Sequence, residues 1–276
     1  MIGVYDSGYG GLTVLRALRA ALPDRDFCYL GDSGRAPYGG RDTHTILDFA
    51  EQCTERLFEE GCRLVVVACH TVSCVALRHL QRRYAGDDRR VLGVTIPTAE
   101  AAVAASDGHV CVLGTARTVA SGTFVTEIAK LGPHRVTQRA APLLAPIVEE
   151  GWEDTEIARL AVARYLDGID ADTIVLGCTH YPLLARAIRA QTKARVLDPS
   201  SFVADRTRDW LDRHPGFDDP GAGAVRYLCT GDPAVFRDHG ARFLGEPIGF
   251  VRHVAEEAGR LAPRETVQVA VGQVVR

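Results

Sequence analysis

Val65-Val66-Val67-Ala68-Cys69-His70-Thr71 and Ile174-Val175-Leu176-Gly177-Cys178-Thr179-His180 are two short apolar runs, each delivering one cysteine into a turn flanked by Thr and His. A continuous β-branched run of this length reads as a strand buried on both faces of a parallel sheet. In open α/β sheets the residues just past a strand's carboxyl end form the ligand crevice. Two such cysteines are therefore placed to flank one substrate. Thiols suit proton transfer, because their ordinary pKa of about 8.5 is tuned by burial, charged partners and helix termini. A single free cysteine more often fills core space as a small hydrophobe. The repetition of strand, cysteine, Thr and His turns the reading toward two-base chemistry.

Outward from these runs, strands alternate with helices. Residues 2–5 read as a strand, 6–11 as a glycine-rich turn and 12–22 as an amphipathic helix ended by Pro23. Residues 27–30 form the next strand, followed by a Gly/Pro loop over 31–40 and a helix over about 43–60. The Cys69 strand spans 64–68, and a helix over 73–84 precedes a strand over 91–95 that enters Ile96-Pro97-Thr98. A second series then begins: a strand at 110–113, a small-residue turn at 114–118 and a helix over 119–131. Pro142 and Pro146 mark a loop reaching 148–151, and a helix over 154–166 leads to the Cys178 strand and a helix over 182–191. Residues 214–224, rich in Gly, Asp and Pro, read as the clearest linker. The alternation indicates an α/β class with a largely parallel sheet.

The composition narrows the class further. At 276 residues the chain exceeds the usual single-domain size, so two domains are expected. Hydrophobic residues at 46% and charged residues at 24% describe a globular chain rather than a disordered or fibrous one. No apolar run approaches the roughly 20 residues of a membrane span. The formal net charge of -3 provides no basic field to gather nucleic acid. The opening Met1-Ile2-Gly3-Val4-Tyr5-Asp6 lacks the regions of a secretory leader, and the eight cysteines show neither a CxxC pair nor disulfide-framework spacing. A reduced, cytoplasmic setting is expected. Cys69, His70, Cys74 and His79 match no compact zinc spacing, so no metal is expected.

The turn Asp6-Ser7-Gly8-Tyr9-Gly10-Gly11 lacks the G-x-G-x-x-G spacing of a dinucleotide fingerprint, and no P-loop lysine is present. Its reading divides between two uses. Turn amides and the helix N-terminus hold an anionic substrate group with Asp6 beside it as a proton-handling carboxylate, or Asp6 simply caps the helix.

Asp6-Ser7-Gly8 with Gly10-Gly11-Leu12-Thr13, Gly31-Asp32 with Pro37-Tyr38-Gly39, Ala68-Cys69, Leu176-Gly177-Cys178-Thr179-His180-Tyr181-Pro182-Leu183-Leu184 and Thr230-Gly231-Asp232 together resemble the glutamate racemases of the aspartate/glutamate racemase superfamily. The resemblance spans residues 2 to about 250. It implies two pseudo-symmetric α/β domains, each a mainly parallel sheet flanked by helices, with the active site in the cleft between them. Residues 1–94 with 203–255 would form one domain and 95–202 the other, leaving 256–276 as an extension of unknown structure. The implied activity needs no cofactor. One cysteine removes the α-proton of glutamate while the other protonates the opposite face, and the D-glutamate formed supplies peptidoglycan synthesis. By position Cys178 would serve the L-enantiomer and Cys69 the D-enantiomer. Asp6 would assist Cys69, His180 would assist Cys178, and Glu149 would stand near that histidine. Ser7, Pro37, Tyr38, Gly39, His70, Thr71, Thr115, Thr118 and Thr179 match positions that hold the amino acid. The implied partners are a small amino-acid substrate and a second copy of the chain in a homodimer.

Three departures from the family pattern stand out: His70 where the family usually has Asn, Ile96-Pro97-Thr98 in place of Glu-Pro-Gly, and Ala141 in place of a cysteine. An imidazole is bulkier than a carboxamide and ordinarily titrates near neutral pH, so His70 is the departure that bears on substrate and pH profile. Two other readings remain: a racemase for another small amino acid such as aspartate, and a non-catalytic protein that binds an acidic ligand in the same cleft. Residues 267–271 alternate Val with Gln or Ala and read as a strand or an extended tail.

Overall fold

The computed structural model describes residues 1–86 and 88–264. The first series runs β1 (Ile2–Asp6), α1 (Leu12–Ala21), β2 (Phe27–Gly31), α2 (Thr43–Glu59), β3 (Leu64–Val67), α3 (His70–Val75), α4 (Leu77–Arg83), β4 (Arg90–Gly93) and α5 (Thr95–Ala105). The second comprises β5 (His109–Gly114), α6 (Ala116–Ser121), α7 (Thr123–Leu131), β6 (Arg135–Ala140), α8 (Leu144–Glu149), α9 (Glu156–Leu166), β7 (Thr173–Gly177), α10 (Ala185–Arg189) and β8 (Arg195–Leu197). The chain then adds α11 (Ser200–Arg213), β9 (Val225–Cys229), α12 (Pro233–Leu244), β10 (Val251–Glu257) and β11 (Arg260–Pro263).

These strands form two sheets, one ordered β11-β10-β9-β2-β1-β3-β4 and the other β6-β5-β7-β8. Every pairing is parallel except β10 with β11. The order β2-β1-β3-β4 recurs as β6-β5-β7-β8, so the two halves share one permutation. In each half the first strand has its successor on one side and the third strand on the other. That reversal is where an open sheet leaves a crevice at its carboxyl edge. The β1/β3 and β5/β7 crevices are therefore equivalent places, and Cys69 and Cys178 lie just beyond them.

Burial explains why these strands are central. All residues of β1, β3 and β7 are buried, with Val65, Val66, Val67, Ile174, Val175 and Leu176 fully inaccessible. Each such side chain contributes about 1.5–3 kcal/mol relative to exposure. The edge strands β6 and β8 are only half-buried, and their sequences carry a correspondingly weaker apolar signal. One contiguous apolar cluster reaches from Ile2 and Leu12 through Leu113 and Leu144 to Leu176 and Ile188, so the two sheet systems share core.

Several expected elements differ in detail. The helix expected over 73–84 begins earlier, with Cys69 as N-cap residue of α3, and breaks at Ala76. The helix expected over 119–131 is α6 and α7, divided at Gly122 (φ 64°). The strand expected over 91–95 ends at Gly93, with Ile96-Pro97-Thr98 in the first turn of α5, and the loop expected at Pro142–Pro146 is instead the start of α8. Pro97 and Pro146 each stand third in their helix, where a missing N–H costs no intrahelical bond. Residues 256–263 complete the β10–β11 hairpin, whereas the alternating 267–271 lie outside the described residues. The 214–224 stretch is tied down rather than free: Arg25 pairs with Asp218, and Asp26 accepts from the amides of Ala222 and Ala224.

Gly122 carries a left-handed backbone that L side chains adopt at about 1–2 kcal/mol. Gly122→Ala is expected to lower unfolding stability by about that amount in urea titration. An unchanged midpoint at unchanged slope would contradict the assignment of strain there.

Candidate active site

The carboxyl ends of both sheets open onto one cavity at their seam, enclosing about 570 Å3 counting its open mouth. Of the residues singled out from sequence, Ser7, Pro37, Tyr38, Gly39, Cys69, His70, Thr71, Thr115, Glu149, Cys178, Thr179 and His180 line it. Asp6 and Thr118 stand behind the wall, both fully buried. The wall also includes Gly8, Ala36, Ala145 and Pro146. Sequence reasoning missed these four because small apolar residues carry no chemical signal. Ala145 and Pro146 were additionally hidden by the loop expected at α8.

The surroundings of the two thiols differ. Cys178 Sγ lies 3.9 Å from His180 Nδ1, and His180 Nε2 is 2.9 Å from Glu149 Oε1. Burial pulls the His180 imidazolium down, but its contacts with Cys178 and Glu149 outweigh this and push its pKa up to about 10. For Glu149 burial raises the pKa, and the hydrogen bond and charge of His180 reverse the shift to below the ordinary carboxylate value. Cys69 Sγ instead lies 3.4 Å from Ser7 Oγ. Burial, and then the charge of Asp6, push its thiol up to about 12.

Asp6 is held by the turn that follows it. Its Oδ2 accepts from Gly8 N (2.9 Å) and its Oδ1 from Thr179 Oγ1 (3.3 Å). Burial raises its pKa, opposed by the His180 charge and by these hydrogen bonds. Neither sequence-based reading of this turn describes it fully. Gly11 is the N-cap residue of α1 with no side-chain cap, and the Leu12 and Thr13 amides bond to Tyr9 O and Gly10 O. The helix amides are thus used inside the turn, and only Ser7 and Gly8 of it reach the cavity.

Hydroxyls gather at the other end. Thr115, the N-cap of α6, accepts from Thr118 N, and Thr71, Thr115 and Thr118 form a triangle with Oγ1 separations of 2.9, 3.0 and 3.4 Å. Because Thr71 lies on α3, which follows β3 of the first sheet, and the other two lie at α6, which follows β5 of the second, this cluster bridges the seam. Gly39 packs against Thr115 so closely that an added Cβ would lie 2.9 Å from the Thr115 Cβ. The Tyr38 hydroxyl is fixed behind the wall by Tyr5 and by buried Asp32, which also receives Thr230 and Arg35.

His70 is 2% exposed, stacks on Phe124 at 6.2 Å between centroids, and has no hydrogen-bond partner at either ring nitrogen. Burial pulls its pKa to about 3, so the ring is neutral where a free imidazole would titrate. Between about pH 6.5 and 3 the unfolded chain binds a proton here that the folded chain does not, so this residue lowers stability as pH falls through that window. Stability measured by urea unfolding from pH 7 to 5 is expected to fall less steeply for His70→Asn than for wild type. The difference reaches at most about 1.4 kcal/mol per pH unit, and equal slopes would refute the buried neutral ring.

Among the described residues, no group of three or more His, Cys, Asp or Glu is gathered to hold a metal, and no helix is long and apolar enough to cross a membrane. The family description Asp/Glu/hydantoin racemase matches residues 11–207. The glutamate racemase of Roseobacter denitrificans is 38% identical over 269 residues, spanning 90% of this chain and 98% of that protein. Glutamate racemase from Francisella tularensis, solved in complex with D-glutamate, superposes with a TM-score of 0.86 at 28% identity, covering 92% of this chain and 97% of that one. The Thermus thermophilus enzyme, solved with β-chloro-D-alanine, gives 0.83 at 37% identity over 92% and 96%.

Proposed function

The chain belongs to the Asp/Glu/hydantoin racemase family, and on that premise we propose that it interconverts L- and D-glutamate by proton transfer between two cysteines without a cofactor. The observation that carries this reading is the arrival of Cys69 and Cys178 in one cavity from equivalent strand ends of two sheets with the same permutation. Racemisation needs a base on one face of the α-carbon and an acid on the other.

In the L-to-D direction, the Cys178 thiolate takes the α-proton. The C–H bond breaks, an S–H bond forms, and the electron pair stays on the substrate carbon. The Cys69 thiol then gives its proton to the opposite face, leaving Cys69 as the thiolate for the reverse reaction. The His180 imidazolium, held by Glu149, is positioned to stabilise negative charge on the Cys178 sulfur. Asp6 and Ser7 serve the Cys69 side. With its thiol pushed up to about 12, Cys69 rests in the protonated form that this direction requires. Hydroxyls and amides around Ser7, Gly39, Thr71, Thr115 and Thr179 suit a small zwitterion with two carboxylates, since they donate without bringing a desolvated counter-charge, and Tyr38 and Thr118 brace that lining from behind.

The same reading makes residues 1–94 with 203–255 one domain and 95–202 the other. It gives the enzyme a homodimeric state, a cytoplasmic location and a role in supplying D-glutamate to peptidoglycan. Size-exclusion chromatography with light scattering tests the dimer.

Racemisation of L-glutamate by purified protein under reducing conditions, followed by chiral chromatography, is expected to proceed with nothing added. Cys69→Ser and Cys178→Ser are each expected to lose most turnover while keeping the wild-type circular dichroism. A folded single variant with near-normal turnover would overturn the two-thiol scheme.

His70 favours a second reading, a racemase for the shorter aspartate, because its imidazole occupies cavity wall that a carboxamide would leave more open. One methylene is worth about 1–3 kcal/mol of discrimination, or roughly ten- to two-hundred-fold. His70→Asn is expected to shift the glutamate-to-aspartate ratio of kcat/KM toward glutamate. An unchanged ratio and pH profile would remove His70 from specificity.

A further inference from the structure

Glu149 is the last residue of a helix that cannot orient itself. Helix α8 has only six residues, its N-cap Leu143 offers no side-chain cap, and the chain leaves it through Gly151 in a left-handed turn (φ 74°). So short a segment draws its orientation from tertiary contacts rather than from intrinsic helicity. Its final carbonyls find donors outside the helix: in the turn that follows, Gly151 N bonds to Val148 O (3.0 Å) and Trp152 N to Ile147 O (2.9 Å).

Further donors come from the far side of the seam and tie this end to the other half of the molecule. Arg242, on α12, donates from Nη2 to Val148 O (2.9 Å) and from Nη1 to Glu149 O (3.3 Å). The same Nη2 lies 2.7 and 2.8 Å from the two carboxylate oxygens of Glu153, just beyond the turn. A guanidinium at a helix C-terminus also opposes the negative end of the helix dipole. The next residue, Phe243, meets the His180 ring edge-on at 5.1 Å. Consecutive side chains of α12 therefore hold the backbone of Glu149 and the ring of His180.

The bracket itself is firmly seated. At Gly240 an added Cβ would lie 2.7 Å from Ile248 Cδ1 and 2.9 Å from Leu12 Cδ1, so α12 rests closely on α1. Phe243 is fully buried and stacks with Tyr9 at 6.4 Å.

We propose that Arg242 is a positioning residue for proton transfer at Cys178: its fork fixes the end of α8 so that the Glu149 carboxylate stays within hydrogen-bond reach of His180. The proposal rests on the two-thiol reading above. Arg242 touches neither thiol, and its effect passes through Glu149 and His180 to one of the two proton-transfer steps. Loss of the fork slows the Cys178 step and leaves the Cys69 step intact.

Because the two enantiomers are equal in free energy, kcat/KM must fall equally in both directions, so rates alone cannot tell which step is slowed. Isotope effects can. In Arg242→Gln, kcat is expected to fall about ten- to a hundred-fold with little change in KM, the scale of a misplaced catalytic group. The deuterium isotope effect on kcat/KM should rise with α-deuterated L-glutamate, whose proton Cys178 removes, and fall with α-deuterated D-glutamate. Arg242→Lys, which keeps the charge and loses the fork, should recover only part of the rate. The reverse pattern of isotope effects would still place Arg242 on one step and would exchange the enantiomers between the cysteines. Normal turnover, a loss carried by KM, or two unchanged isotope effects would overturn the proposal while the two-thiol reading stood. A folded wild type inactive on glutamate and aspartate would sink both. Should Arg242→Gln fail to fold, Glu153→Gln loosens the same guanidinium, and the same isotope readout decides.

Discussion

Side chains at 65–67 and 174–176 are buried on both faces of their strands, and a strand of that kind is stable only inside a parallel sheet covered by helices. Such a strand must pass its chain to a crossover at its carboxyl end. With β1 beside β3 and β5 beside β7, that end opens into the crevice left by the reversal of strand order. The placement of both thiols follows from this constraint. Cys69 and Cys178 are where they are because the apolar runs before them have no other place to go.

What distinguishes the two sides is everything that does not repeat. Cys178 faces an imidazole with a carboxylate behind it, whereas Cys69 faces a hydroxyl and feels Asp6 by charge. Thr179 ties the halves together, since its hydroxyl donates to Asp6 and its carbonyl accepts from Thr13 Oγ1 at 3.4 Å. The acid of one half is therefore anchored by the neighbour of the other half's thiol. Together with the Thr71–Thr115 contact and the grip of Arg242 on α8, this makes the cavity a property of the seam rather than of either sheet.

Much of the central architecture was legible in the residues. The strands ending at Cys69 and Cys178 are continuous apolar runs, and the helix after the Asp6 turn has the periodicity of a one-sided burial. The less legible parts have physical reasons. β6 and β8 are half-buried edge strands with little apolar contrast. Pro97 and Pro146 look like loop markers but sit in first helical turns, where proline is harmless. Ala36 and Ala145 shape the cavity wall without carrying any chemical group that a sequence could advertise.

The sequence by itself determined the α/β class, the strand-to-turn delivery of two cysteines and the resemblance that names the chemistry, because hydrophobic period and motif spacing are local properties. The tertiary structure alone decided that Asp6 stands behind the cavity wall, that His70 is a neutral ring without hydrogen-bond partners, and that Glu149, which the resemblance puts near His180, sits at the end of a helix held by α12 from the opposite half. Each of those depends on burial or on a contact between residues far apart in the chain. Desolvation and through-space hydrogen bonds exist only once the two halves have closed on each other.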